Sequence, residues 1–350
     1  MSQTYEQVIE LSQNEMLDFS SRSEQRLREL EEQYKVRIVP RGNVIKVLGE
    51  QAVVDEVVGF IRDLVKFSKG KQSMNRHQMR AAMEGIRTEG REEMERVYAD
   101  RVQVPLHRRT VNPMTGNQKR YLDAIRHHDI VFGIGPAGTG KTYLAMAMAV
   151  HSLMANEVGR IVLVRPAVEA GEKLGFLPGD ITAKFDPYVR PLYDALHDMM
   201  EPERVKMLLE NNVVEVAPLA FMRGRTLNSS FVILDEGQNT TIEQMKMFLT
   251  RLGYDSKAVI TGDVTQMDLP QGRESGLVHV SRILKDVKGI EFISFEQKDV
   301  VRHELVQRII RAYDAAEHPA VKQEELPLPD VSDSGDAAGE QPMNNLETEA

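Results

Sequence analysis

Two short runs in this 350-residue chain carry residue types whose spacing could do chemistry together. The first is Gly135-Pro136-Ala137-Gly138-Thr139-Gly140-Lys141-Thr142, which fits G-x-x-x-x-G-K-[ST]. Glycines at these places let the backbone turn tightly, so that several N–H groups converge on phosphate oxygens. Lys141 would reach the β- and γ-phosphates, and the Thr142 hydroxyl would coordinate Mg²⁺. The second run is Phe231-Val232-Ile233-Leu234-Asp235-Glu236, an apolar stretch closed by two carboxylates. Asp235 would hold Mg²⁺ through its water shell, and Glu236 would orient and polarise an attacking water. An apolar run ending in Asp-Glu means little alone, because acidic residues often close strands. Downstream of a phosphate loop it becomes the Walker B pattern, and the two runs together point to hydrolysis of a nucleoside triphosphate.

These residues can act only if the fold brings strand ends together. Asp129 to Ile134 reads as a buried strand leading into the loop, and Tyr143 to Val150 is rich in helix formers. A helix starting there adds unpaired N–H groups and the positive end of its dipole to the phosphate site. From Thr110 onward strands alternate with helical stretches, with further strands predicted over 160–164, 213–216, 231–234, 258–261 and 290–293. Near-continuous apolar strands of this kind imply a parallel sheet covered on both faces. Ligands of such sheets bind outside the carboxyl ends of the strands, and each motif falls at such an end. The expected fold class is α/β: a P-loop NTPase core with a RecA-like parallel sheet over residues 113–318, carrying a small α+β N-terminal domain.

Other residues at predicted strand ends are candidates for the same site. The strand 258–260 runs into Thr261-Gly262-Asp263-Val264-Thr265-Gln266, where the Gln266 amide could sense the γ-phosphate or place the water. G-D-x-x-Q at this place resembles motif III of superfamily 1 helicases. Gln118, ahead of the first strand of the core, fits the adenine-reading glutamine of that superfamily. A guanidinium near the γ-phosphate could stabilise transition-state charge; Arg302 is the preferred candidate and Arg225 the second. Arg165 and Lys173 could bind nucleic-acid phosphates, and Phe176 could stack on a base, or the stretch is a structured surface loop. Thr240-Thr241-Ile242-Glu243 reads as a capping box opening a helix.

The N-terminal region spans residues 1–68, and helix-or-strand stays open for its first twenty or so. Residues 22–68 read α-β-β-α, ending in strand, Gly49, helix. The order looks like the later half of a KH RNA-binding domain. The G-x-x-G loop with which such domains grip RNA is missing ahead of these strands, so the unit serves either RNA contact or docking and assembly. Residues 69–112 read as a charged linker with a helix and a hairpin, whose cations contact phosphates or form a solvated face. Residues 319–350, rich in proline and acid, read as a disordered acidic tail. A hydrophobic content of 41% and a charged content of 28% suit a soluble globular protein. The net charge of −9 argues against coating nucleic acid by bulk charge. No run is long and apolar enough for a membrane span, no secretory signal opens the chain, and there is no cysteine. A cytoplasmic protein with no membrane partner is expected.

The chain resembles the PhoH-like ATPase family in specific runs over roughly residues 110–315. They include Asn117-Gln118, the stretch from His128 through Ala145, Arg165-Pro166-Ala167-Val168-Glu169-Ala170-Gly171-Glu172, Arg223-Gly224-Arg225-Thr226, Asp235-Glu236-Gly237-Gln238-Asn239 and Thr261-Gly262-Asp263. The half-KH region suits the short bacterial members. The resemblance implies a cytoplasmic ATPase with ATP and Mg²⁺ as ligands and a helicase-like core. It also implies a role in RNA metabolism, with rRNA maturation beside a separate endoribonuclease. Some relatives carry a fused PIN nuclease; this chain has no residues left for one, so no nuclease activity of its own is expected. A superfamily 1 helicase closes ATP between two such cores, whereas here one core uses nearly the whole chain. Self-association is therefore expected, with a neighbour completing the site. The alternative is a nucleotide-dependent adaptor without motor activity; a small-molecule kinase fits less well, because no lid-like arginine cluster is recognisable.

Overall fold

The computed structural model describes residues 4–13, 15, 23–68, 76–105, 110–166, 181–270, 272–301, 305, 306, 308, 309, 312 and 313. The chain falls into two units, Met1–His303 and Glu304–Ala350. In the second, the described residues are helical. The predicted acidic tail lies outside the described residues.

In order, the first unit opens with β1 (Tyr5–Glu10), α1 (Ser23–Tyr34), β2 (Arg37–Arg41), β3 (Val44–Gly49) and α2 (Gln51–Ser68). The α-β-β-α reading of residues 22–68 is present, and β1 adds a strand where the sequence left the choice open. β1 pairs antiparallel with β3, which pairs antiparallel with β2, giving the order β1-β3-β2. Two helices, α3 (Arg76–Glu89) and α4 (Arg91–Ala99), then follow. They occupy the stretch read as a linker, but they do more than connect. Met79, Ala82, Met83, Met94 and Val97 are buried in one apolar cluster with Leu30, Ile45, Val47 and Ile61. The methionines sit at helical spacing because one face of each helix closes the open side of this small core. The two-stranded pair β4 (Val102–Gln103) and β5 (Thr110–Val111) leads into the large layer.

That layer contains α5 (Gly116–His127), β6 (Ile130–Ile134), α6 (Lys141–Met154), β7 (Arg160–Arg165), α7 (Ile181–His197), α8 (Pro202–Glu210), β8 (Val214–Pro218), β9 (Ser230–Leu234), α9 (Ile242–Leu249), β10 (Lys257–Gly262), α10 (Gly276–Ile283) and β11 (Ile290–Ser294). The six strands form one parallel sheet in the order β11-β6-β10-β9-β7-β8. Alternate residues of each strand feed two different cores. Val131, Ile161, Leu163, Phe231 and Ile233 pack with α5, α6 and α7, while Phe132, Val162, Val164, Val232 and Leu234 pack with α9 and α10. Burial on both faces is why these strands read as continuous apolar runs rather than alternating ones.

The sheet order decides where the chemistry can sit. The strand before the phosphate loop, β6, and the strand before the two carboxylates, β9, are not neighbours: β10 lies between them. A residue at the tip of β10 therefore touches both. The loop itself is pressed close. Gly135 has φ +150°, and a Cβ there would run into the Phe295 carbonyl oxygen. The next turns use Gly138 and Gly140 at φ +86° and +79°, which other residues reach only with strain.

Candidate nucleotide-binding site

The phosphate loop, the carboxylate strand tip and the β10 tip meet in a cleft of about 260 Å³ at the carboxyl edge of the sheet. Ala137, Gly138, Gly140, Lys141, Thr142, Asp235, Glu236 and Gln266 all line it. Gly135, Pro136 and Thr139 form the loop behind them. Lys141 Nζ donates to the carbonyls of Gly135 at 2.6 Å and Pro136 at 2.8 Å, so the ammonium is held within its own loop. Thr142 and Asp235 are joined directly: the Thr142 hydroxyl donates to Asp235 Oδ1 at 2.7 Å. Thr261, from the intervening strand, donates to the same oxygen at 2.7 Å. A carboxylate with two hydroxyls converging on one oxygen, beside a lysine-bearing loop, is an all-oxygen set suited to a hard cation such as Mg²⁺.

Glu236 follows at once in a left-handed backbone conformation, φ +55° and ψ +42°, unusual for a residue with a side chain. Its carboxylate is held at both oxygens. Gln238 Nε2 donates to Oε2 at 2.6 Å, and Arg165 Nη2 donates to Oε1 at 3.3 Å. Gln238 is almost wholly buried and uses its whole amide: Nε2 also donates to the Gln266 carbonyl at 3.1 Å, and Oε1 accepts from the Asp263 N–H at 3.0 Å. Asp263 in turn accepts from the Ala137 N–H at 3.2 Å. The two carboxylate-bearing strand tips and the phosphate loop thus form one hydrogen-bonded circuit. Lys141 is the one cation among the described residues lining the cleft, beside the anions Asp235, Glu236 and Asp263, and Arg165 pairs with Asp235 at 3.7 Å and Glu236 at 3.3 Å from behind that lining.

Gln118 does not line the cleft. It is buried behind the loop, its Nε2 donating to the Thr139 carbonyl at 3.0 Å and its Oε1 accepting from the Met114 N–H at 2.6 Å. Gln266 is exposed at the rim. Arg165, read for nucleic-acid phosphates, instead faces the carboxylates and donates to the Tyr188 carbonyl of α7 at 2.6 Å. Arg225 is a bidentate partner of Glu215 on β8, at 2.6 and 2.7 Å, and that pairing raises the guanidinium above its usual range. Arg302, Lys173 and Phe176 lie outside the described residues. The capping box at α9 is one residue on from the expected place, with Thr241 as cap and Gln244 as its reciprocal partner.

Three residues at or behind the site carry no chemical motif of their own. Thr261 and Gln238 lie inside the runs 261–266 and 235–239, but only the sheet order shows that β10 separates the two motif strands and brings a hydroxyl to Asp235 from its tip. Tyr121 gives no local signal at all. Its ring lies against Gly133 under the loop, and a Cβ at 133 would strike it at 2.8 Å. Burial, and secondarily the Asp235 charge, push its hydroxyl well above the ordinary tyrosine range.

The profile of the family described as "PhoH-like protein" matches residues 110–314, the whole of the large layer. A "PhoH-like protein" of Mycobacterium tuberculosis is 52% identical over 299 residues, covering 85% of this chain and 84% of its own. Another, from Synechocystis, is 44% identical over 318 residues, covering 91% of this chain and 97% of its own. These alignments are longer than the large layer, so they take in part of the N-terminal module. Among solved structures, the Sulfolobus solfataricus SWI2/SNF2 ATPase core in complex with dsDNA overlaps 43% of this chain and 31% of its own at 15% identity and a TM-score of 0.28, too loose a likeness to add to the strand order.

Proposed function

The chain belongs to the PhoH-like protein family, and from that premise we propose that it binds ATP with Mg²⁺ and hydrolyses it to remodel RNA. The observation that carries the hydrolytic part is the joint engagement of Asp235 by Thr142 and Thr261 beside the phosphate loop. Thr142 and Asp235 would hold Mg²⁺, which would supply charge neutralisation at the phosphates. Lys141 would exchange its neutral loop carbonyls for anionic phosphate oxygens, the stronger acceptors for an ammonium. Glu236 is placed by Gln238 and Arg165 to orient the attacking water.

The RNA part rests on the family and on the small α+β module joined to the core. Support of rRNA maturation beside a separate endoribonuclease is the cellular setting we propose, in the cytoplasm. Among the described residues no helix is long and apolar enough to cross a membrane. We propose self-association as well, with a neighbour's arginine entering the open cleft to stabilise charge at the γ-phosphate. The test is the ATPase rate of the full chain with and without a panel of RNAs, with molecular mass measured in ATP. Lys141→Ala should abolish turnover and RNA should raise the parent's rate. Turnover surviving in Lys141→Ala would end the hydrolytic reading, and indifference to every RNA would end the remodelling one.

One observation favours a second reading, a nucleotide-dependent adaptor. Arg165 and Gln238 both donate to the Glu236 carboxylate, which makes it a weaker acceptor for a water and suits slow turnover. Glu236→Gln separates the two: cellular function lost with ATP binding intact supports the motor, and function retained supports the adaptor.

A further inference from the structure

Asp299 belongs to neither the cleft nor any motif used above. It is fully buried, at 0% exposure. Its Oδ1 accepts from the Thr115 hydroxyl at 2.6 Å, and its Oδ2 accepts from Asn117 Nδ2 at 2.7 Å and from the Glu296 N–H at 2.8 Å. A carboxylate taken out of water is tolerated when its oxygens are filled in this way. The groups it fastens lead to the phosphate loop from two directions. Thr115 caps α5 and Asn117 lies in its first turn; the next residue, Gln118, donates to the Thr139 carbonyl at 3.0 Å. On the other side, the short helical turn Gln297–Asp299 leads to Val301, whose N–H donates to the Gly138 carbonyl at 2.9 Å. Two successive loop carbonyls are therefore anchored to two segments that meet on one buried carboxylate.

The consequence follows from peptide geometry. In a planar trans peptide the C=O and the following N–H point opposite ways. Anchoring the Gly138 and Thr139 carbonyls from behind aims the N–H groups of Thr139 and Gly140 away from those anchors. We propose that Asp299 is a positioning residue for phosphate binding, which sets the direction of these two N–H groups through Gln118 and Val301. The inference rests on the triphosphate reading of the cleft. It assigns Asp299 to binding of the nucleotide rather than to water attack, since among the described residues its hydrogen bonds go to Thr115, Asn117 and Glu296 and none to Glu236.

The test is a cycle of full-chain variants: Asp299→Asn, Asn117→Asp and the reversed pair Asn117→Asp/Asp299→Asn. Asp299→Asn sets an amide N–H against donors. Asn117→Asp sets two carboxylates face to face. The reversed pair restores one donor–acceptor contact across the same gap. Circular dichroism checks folding, a fluorescent ATP analogue gives Kd, and steady-state rates give KM and kcat. Each folded single variant should raise Kd and KM for ATP about tenfold, as loss of a charge-assisted hydrogen bond does. Saturated kcat should stay within about threefold, and the reversed pair should recover most of the loss. A folded single variant that binds ATP like the parent would overturn the proposal, as would a reversed pair no better than its folded singles. An equal loss in kcat alone would do the same. If the parent itself fails to bind the analogue, the triphosphate reading has failed instead, and Lys141→Ala run alongside tells the two outcomes apart.

Discussion

The N-terminal module and the parallel-sheet layer solve opposite problems with similar elements. Among the described residues, Asp63 is the only buried polar or charged side chain of the module, whereas the large layer buries a run of them from Thr115 to Asp299. The module's interior is apolar, centred on Leu30, Ile45 and Ile61, with ion pairs such as Lys46–Glu6 at its surface. The layer does the same in its two cores but collects hydroxyls, amides and carboxylates at the strand tips. Buried polar groups are costly unless each is matched, so they gather where the chain uses them. The contrast teaches which changes should cost activity and which should cost stability.

The largest expected effect lies in the layer. Asp235→Asn keeps the side chain's size but removes the charge onto which Thr142 and Thr261 converge. ATP turnover should fall by about 10²- to 10³-fold, with little change in melting temperature. A protein that kept its rate would show that the strand-tip network is only structural, and the contrast would dissolve. Next comes the module's apolar centre. Ile45 is 0% exposed on the middle strand, and Ile45→Ala should cost about 3 kcal/mol of module stability. Hydrogen exchange should then show β1 to β3 opening ahead of β6 to β10. A single transition across the whole unit would mean that the two regions fold as one.

These outcomes also measure what the sequence could tell. The six strands were legible because double-sided burial writes itself as continuous Val, Ile, Leu and Phe. The loop and carboxylates were legible because phosphate chemistry fixes both residue types and spacing. The role of α3 and α4 was harder to see: Met79, Met83 and Met94 have helical spacing, but a linker helix and a core helix share that pattern. Gln118 stands where a base-reading glutamine would, and its amide donates to the Thr139 carbonyl, a partner that a lone amide does not announce. Asp299 was invisible because its partners, Thr115 and Asn117, come from the far end of the chain.

Two carboxylates at the seams respond to acid in opposite senses. Asp100, following α4, takes both Arg126 Nη atoms of α5 at 2.7 Å, with Lys119 nearby at 3.5 Å. Burial works to raise its carboxyl, but the Arg126 hydrogen bond and charge, with Lys119, outweigh it and hold it below the usual range. A depressed carboxylate adds stability above its unfolded pKa of about 3.9, lost as pH falls through the folded value. Asp63 is raised by burial, with Arg91 and Lys66 offsetting only part. Its contribution runs the other way, present below the unfolded value and lost as pH rises through the folded one. Asp100→Asn should lower stability at pH 7 by about 1–2 kcal/mol and flatten the acid limb of the pH profile. Asp63→Asn should leave neutral stability equal or higher. Matching acid limbs in the two variants would contradict this assignment of signs.

The smallest expected effect tests whether the module speaks to the loop at all. Glu89, the last residue of α3, accepts from the Gly116 N–H at 3.1 Å, the first free donor of α5. A Cβ at 116 would press on that carboxylate, so the two helices meet closely there. The charge sits at the positive end of α5, the helix that carries Gln118 to the loop. Glu89→Gln keeps an oxygen for Gly116 and removes only the charge. It should cost about 0.3–1 kcal/mol at low ionic strength, read as a drop in Tm that shrinks in 1 M salt. Because Asp299 grips the same turn from the other side, ATP affinity should change less than about twofold. A larger loss of affinity would mean that the turn is set by the module rather than by Asp299, and the two regions would then be one device rather than a stable base beside a reactive edge.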